Sequence, residues 1–407
     1  MSKPQPLAGI RVVEFVHMVM GPSCGLILAD LGADVIKVEP VPDGDNTRRL
    51  VGGAAGFFIN FNRNKRSLAI DLKSKEGQEA VRRLIGTADV VTENFRPGAL
   101  DKLGLGHKEL CAAHPRLVYC SLKGFLSGPY EQRTALDEVV LMMGGLAYMT
   151  GPLGRPLRAG TSVNDIMGGM FAVIAILAAL RERDQTGPGS GKGQFLTSSL
   201  FENCVFLSSQ HMAAEALSGK PSTPFPERAA SAWGVYDIFQ TRDDAQLFVA
   251  IVTDTQFQNF CDEFGQASMK ADRAFATNNS RVAARARLIP ALTVLLGTLP
   301  KAELMQRFAR IGVSYAPINT PSDLFDDPHL KAGGLLPIEV GDGRTAQLPG
   351  LPMEFSGERL PLRHPPPLLG EHGAEILAEL GYSHDEIEAL RERGALVTAK
   401  PQPTAKT

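Results

Sequence analysis

Between residues 9 and 121, brief apolar runs alternate with amphipathic stretches. Residues 9–15, 34–39, 88–92 and 117–121 are strand-like: short, rich in valine and isoleucine, and bounded by turn residues. Residues 68–72 alternate more weakly and form a possible short strand. Residues 22–31 read as a helix, with Pro22 near its start and Gly32 past its end. Ser74 is placed to cap a helix that runs to about Ile85. Strand and helix in this rhythm predict an α/β fold with a parallel, doubly wound sheet, whose ligands bind at the carboxyl ends of the strands.

Further along, residues 171–180 are wholly apolar and follow Asp165. A helix greasy on most sides is a buried one. Residues 184–194 form a turn-rich connection whose glycines lack the Walker pattern, since Gly193 follows Lys192. A proline-rich stretch at 219–226 reads as an extended linker. A second, smaller α/β unit follows it. Its strands are expected at 233–239, 246–252 and 314–319, and its helices from 255 to about 296 and at 300–311. Ser322 is placed to cap a short helix that Asp327-Pro328 breaks. Residues 334–367 read as short strands and turns, helices resume at 374–380 and 383–393, and 397–407 is a polar, frayed tail. There is no internal repeat.

The 407 residues are 44% hydrophobic and 21% charged, with a net charge of -2. Without a basic stretch there is no electrostatic footprint for nucleic acid. The greasiest region, 166–180, is interrupted by Gly168 and Gly169 and falls short of a membrane span. The first seven residues lack the layout of a secretion signal. Five scattered cysteines without a CxxC fit reduced thiols in the cytoplasm rather than a disulfide frame or a zinc site.

Asp165 carries the clearest candidate chemistry. In the first turn of a core helix its carboxylate gains from the helix dipole and suits a nucleophile. The plainer alternative is that Asp165 or Asn164 caps the helix. A nicotinamide site is disfavoured because the first turn reads Met18-Val19-Met20-Gly21-Pro22-Ser23 rather than G-x-G-x-x-G, although Glu39 ends the second strand where a ribose-binding acid would sit. Lys37, Arg48, Arg49, Arg63, Lys65, Arg66, Arg96, Lys102 and Lys123 recur near strand ends. Each is by default a solvated charge, and together some could hold a polyanion. His17, just past a strand, is by default a packed or surface side chain. The histidines show no metal-ligand spacing, and no G-x-S-x-G elbow occurs.

Six segments, taken in order, resemble one family. They are 7–15 (LAGIRVVEF), 31–39 (LGADVIKVE), 62–67 (NRNKRS), 93–100 (ENFRPGAL), the Asp165 helix, and 367–372 (PLLGEH). The family is the class III coenzyme A transferases, or CaiB/BaiF family. The resemblance implies a Rossmann-like large domain built from both chain ends, with residues 1–218 as its N-terminal part and 326–396 as the return linker and C-terminal part. It implies a linker at 219–230, a smaller inserted α/β domain at 231–325, a tail at 397–407, and an interlocked homodimer with no membrane or nucleic-acid partner.

It also implies that Asp165 is the nucleophile and that CoA passes between carboxylic acids through aspartyl anhydride and aspartyl-CoA thioester intermediates. The CoA thioester is a substrate, and no permanent cofactor or metal is expected. Succinyl-CoA as donor and a small dicarboxylate as acceptor are the expected pair. Glu138 or its neighbour Asp137 matches an acidic position near the site, with a structural ion pair as the alternative. CoA contacts are implied at the backbone of Met18, Val19 and Met20, at Asn94 and Phe95, and at Lys102 and Lys123. Arg48 could replace a basic residue lost at Pro40. Family racemases place a histidine where this chain has Leu136, which favours transfer over racemase-like proton exchange. A non-catalytic CoA-binding protein is the alternative from another class. Relatives draw oxyanion donors from a glycine-rich small-domain loop, whereas 229–235 here carries only Gly234.

Overall fold

The alternating segments of the first 200 residues supply six strands of a seven-stranded sheet in the computed structural model, which describes residues 3–185, 191–225, 232–341 and 343–399. Its parallel strands are β1 (Arg11–Phe15), β2 (Asp34–Glu39), β3 (Lys65–Ile70), β4 (Val90–Glu93), β5 (Val118–Lys123) and β6 (Phe195–Ser199). They lie in the order β3-β2-β1-β4-β5-β6, and Leu396–Val397 pairs antiparallel with the free edge of β3. The helices of this part are α1 (Met20–Asp30), α2 (Phe57–Phe61), α3 (Lys75–Ile85), α4 (His107–Ala113), α5 (Asp137–Met143), α6 (Leu146–Thr150), α7 (Val163–Asp184) and α8 (Leu200–Ser218).

Both faces of the sheet are covered, as a parallel sheet requires. Val13, Phe15, Ile36, Leu68 and Val91 pack against α3 and the C-terminal helices Gly373–Glu379 and His384–Glu392. Val12, Val35, Val90 and Val118 pack on the other side against α1 and α7. Ser74 caps α3 by accepting a hydrogen bond from the Gly77 N–H at 3.0 Å. The weakly patterned third strand begins at Lys65 rather than at 68, because its charged first residues are used inside the fold.

The described residues up to 224 and from 329 onward form one compact unit, and those between 225 and 328 form a second. The second has a three-stranded antiparallel sheet, Val235–Gln240, Gln246–Ile251 and Ser314–Pro317, over a core that includes Phe239, Phe257, Phe260 and Phe308.

Four expectations change. The apolar segment is not interrupted at Gly168 and Gly169: α7 runs unbroken for 22 residues and is long and apolar enough to cross a membrane by length and composition. It is also buried on one side only rather than all round: Ala172, Val173 and Ile176 pack on the sheet, while Met170 and Ile174 are about half-exposed or more. A Cβ on Gly169 would lie 2.2 Å from Ser23 Oγ and 2.8 Å from the Met20 carbonyl oxygen, so the glycine permits α1 and α7 to cross closely. Second, the short helix expected after Ser322 is present as a 3-10 turn, Asp323–Phe325, that ends before Asp327-Pro328, but Ser322 makes no side-chain cap, and Pro328 opens a further helix, Pro328–Lys331. Third, Val397 belongs to the sheet and not to a tail, and residues 400–407 lie outside the described residues. Fourth, β6 and α8 occupy a stretch with no element expected beyond the turn-rich connection, of which 186–190 lie outside the described residues.

Candidate active site

The strands succeed one another in opposite directions from β1, so the sheet has its topological switch between β1 and β4. At their carboxyl ends opens a cavity of about 790 Å³. Its wall includes the turn from His17 to Met20, Asn94 after β4, Lys123 at the end of β5, the start of α5, the loop from Arg158 to Ser162, and Asp165.

The turn is held from behind. Asn94 clamps His17 on both sides, its Oδ1 accepting from the His17 N–H at 2.9 Å and its Nδ2 donating to the His17 carbonyl at 2.8 Å. Buried Lys37 donates to the Val16 carbonyl at 2.7 Å, and buried Lys65 to the Pro22 carbonyl at 3.0 Å. Met18 sits at φ 64°, a left-handed conformation that such clamps can sustain. Helix α1 starts at this wall with no side-chain cap, which favours an anion there.

Asp165 lies in the first turn of α7 and is not its cap. The capping acceptor comes from α5: Asp137 Oδ1 accepts from the Asn164 N–H at 2.8 Å and from the Asp165 N–H at 3.1 Å. The Asp165 carboxyl is pushed up to about 7, first by burial and then by the charges of Asp137 and Glu138, against the pull of Arg158. Asp137 is also raised, chiefly by burial. Glu138 sits half-exposed at the rim, 2.9 Å from Arg158 Nη1. A carboxylate of raised basicity in a cavity of this size is equipped to attack an acyl group.

The two acidic candidates thus separate, with Asp137 buried behind Asp165 and Glu138 in an ion pair on the wall. Met18, Val19, Met20, Asn94 and Lys123 all line the cavity, although the Asn94 amide is occupied with His17. Phe95 lies beside it, its ring 5.4 Å from that of His17. Lys102 is exposed on the short 3-10 turn Asp101–Leu103, away from the cavity wall. Arg48 is not available there either. Its guanidinium grips Glu39 at 2.8 and 2.7 Å, donates to the Pro367 carbonyl at 3.0 Å and lies over Phe58, because Glu39 is buried and needs a partner. The same pairing closes Glu39 as a ribose-binding acid. Sequence reasoning missed Gly53, Ala54 and Phe57 on the wall; the glycine-rich run before Phe57 was their only signal. In the second unit the Gly234 N–H already donates to Asn278 Oδ1 at 3.1 Å, and 226–231 lie outside the described residues.

Residues 7–373 match the family model described as CoA-transferase family III. The chain is 37% identical over 398 residues to a succinate–glutarate CoA-transferase of Agrobacterium fabrum, covering 93% of this chain and 96% of that one. It is 32% identical to the human succinyl-CoA:glutarate CoA-transferase, covering 97% and 91%. Among solved structures, a CaiB/BaiF family protein from Brucella suis matches with a TM-score of 0.82 at 38% identity, covering 93% of this chain and all of that one. A sheet with its cavity at the switch point, a carboxylate in that cavity and full-length similarity agree: the chain belongs to the class III coenzyme A transferases, the CaiB/BaiF family.

Proposed function

We propose that the protein transfers CoA from succinyl-CoA to glutarate or a dicarboxylate of similar size, with Asp165 as the covalent nucleophile. The observation that carries this reading is the placement of Asp165 in a cavity that also holds Arg158. An Asp165 oxygen attacks the thioester carbonyl, the C–S bond breaks, and CoA leaves as thiolate. The thiolate attacks the aspartyl carbonyl of the resulting anhydride and expels succinate, leaving an aspartyl-CoA thioester. The acceptor carboxylate attacks that carbonyl and releases the thiolate again. Attack of the thiolate on the acceptor's acyl carbon then forms the new acyl-CoA and frees Asp165. Each step exchanges one activated acyl group for another, so holding the partners together contributes much of the rate.

The names of the relatives and the half-exposed guanidinium of Arg158 support a dicarboxylate, with the reacting carboxyl at Asp165 and the distal one at Arg158. The test is formation of glutaryl-CoA from succinyl-CoA and glutarate, followed by chromatography. Arg158→Gln is expected to raise KM for glutarate about 10- to 100-fold, the loss of one charged hydrogen-bonding contact. Butyrate, lacking the distal carboxylate, should show little change. No CoA transfer to any dicarboxylate by the unaltered protein would sink the reading.

The protein works, in this reading, as an interlocked homodimer. Met170, Ile174, Phe206 and Met212 on α7 and α8 are all about half-exposed or more, an apolar stretch that a second copy would cover. Light scattering after gel filtration should give twice the mass of the 43.7 kDa chain, and a monomer at micromolar concentration would refute it.

A further inference from the structure

We infer that Asp137 is a positioning residue for the reaction proposed above: one of its oxygens fixes the peptide that carries Asp165, and its charge stands behind the nucleophile. Helix α7 begins without help from its own cap residue, since the Ser162 side chain makes no capping bond. The acceptor is supplied from 28 residues away, by Asp137 Oδ1, which gathers the N–H groups of Asn164 and Asp165. On the other side, Asn203 Nδ2 of α8 donates to the Asn164 carbonyl at 2.8 Å. The first turn of α7 is thus held at both its N–H and its C=O groups by two different helices. The Asp165 side chain is left out of the capping and remains free to face the cavity.

The second Asp137 oxygen adds a different observation. Asp137 is 4% exposed, and its Oδ2 is buried without a hydrogen-bond partner among the described residues. Its negative charge is therefore poorly screened and acts on the neighbouring carboxylate. The other charged groups that act on Asp165 are Glu138, from the same helix, and Arg158, from the loop that precedes α7. His17 and Lys123 line the same cavity. Glu138 and Arg158 are tied to each other at the rim, so the two largely offset one another, and Asp137 is the buried charge of the set. A fixed peptide and an adjacent buried charge together give Asp165 both its aim and its basicity.

Two substitutions separate these roles. Asp137→Asn keeps an oxygen that can accept both N–H bonds and removes the charge. It should leave kcat within a few-fold at high pH and move the acid limb of kcat/KM about one pH unit lower. Asp137→Ala removes the cap as well and should lower kcat about 100-fold, the cost of a misplaced nucleophile, with KM for succinyl-CoA nearly unchanged. An unmoved acid limb in Asp137→Asn overturns the inference, as does an Asp137→Ala enzyme with unaltered kcat. If Asp137→Ala fails to fold, the pH profile of Asp137→Asn still decides. The unaltered protein is run beside both: if it shows no transfer, the functional reading fails and not this one.

Discussion

Replacing Asp165 by asparagine or alanine is expected to lower kcat by about 10⁴-fold or more, because in the proposed mechanism the substitution removes the group that forms the covalent intermediates. Mass spectrometry of the unaltered protein incubated with succinyl-CoA and quenched with hydroxylamine should place a modification on Asp165. Neither substituted protein should carry it. The same site sets the pH dependence. In the proposed mechanism only the ionised carboxylate attacks, so its titration near 7 should make kcat/KM rise through neutral pH and level off above about 8. Stability should run the other way. The folded state holds the Asp165 proton up to about 7, whereas an unfolded aspartate releases it near 3.9. Folding therefore loses stability as pH rises from about 4 to 7, and the loss is complete above that range. Asp165→Asn never acquires this charge. It should be more stable than the unaltered protein at pH 8, by up to about 4 kcal/mol, with the gap closing toward pH 4. Denaturation of both proteins at the two pH values checks it. Equal stability at pH 8 would mean that Asp165 is better solvated than its burial implies.

Much of this site was legible in the sequence, for reasons that differ by element. Strands β1 and β2 are buried on both faces, so their valine-rich runs stand out. The Asp165 helix announced itself by an acid ahead of a wholly apolar run. Strand β6 did not, since Phe195 to Ser199 mixes threonine and serines and borders a turn-rich loop. Helix α8 carries exposed Phe206, Met212 and Leu217 as well as a buried side, so no clear periodicity marks it. The basic residues were the larger surprise. Lys37, Arg63 and Lys65 read as surface charges, yet all three are buried, and their partners Asp45, Asp30 and Glu14 come from other segments. A linear sequence does not show which acid a given base will meet. Nor does it show that Asp137, 28 residues before Asp165, caps the helix on which Asp165 stands.

That buried network leads to the second large effect. Lys65 is fully enclosed and donates to both oxygens of Glu14, at 2.8 and 3.1 Å, to Asn62 Oδ1 at 3.1 Å and to the Pro22 carbonyl. Burial draws its ammonium down to about 8, only partly offset by Glu14. Helix α1 can lie against this pair because residue 25 is glycine; a Cβ there would fall 1.8 Å from Glu14 Oε2. Lys65→Met keeps the bulk and deletes the charge. It leaves Glu14 buried with Lys37 as its remaining cation, 3.9 Å away. The expected cost is about 3–5 kcal/mol in urea denaturation, the penalty of an uncompensated buried charge. Removing Glu14 as well, in Glu14→Leu with Lys65→Met, should recover most of that stability, since an apolar pair of similar volume replaces the ions without stranding either. Activity should not recover in step. Both proteins lose the bond from Lys65 to the Pro22 carbonyl, and with it one of the clamps behind the His17–Met20 turn, so kcat/KM should stay low in the double variant. Full recovery of activity along with stability would show that the turn is held by Asn94 and Lys37 alone, and that the Glu14–Lys65 pair serves the sheet rather than the site.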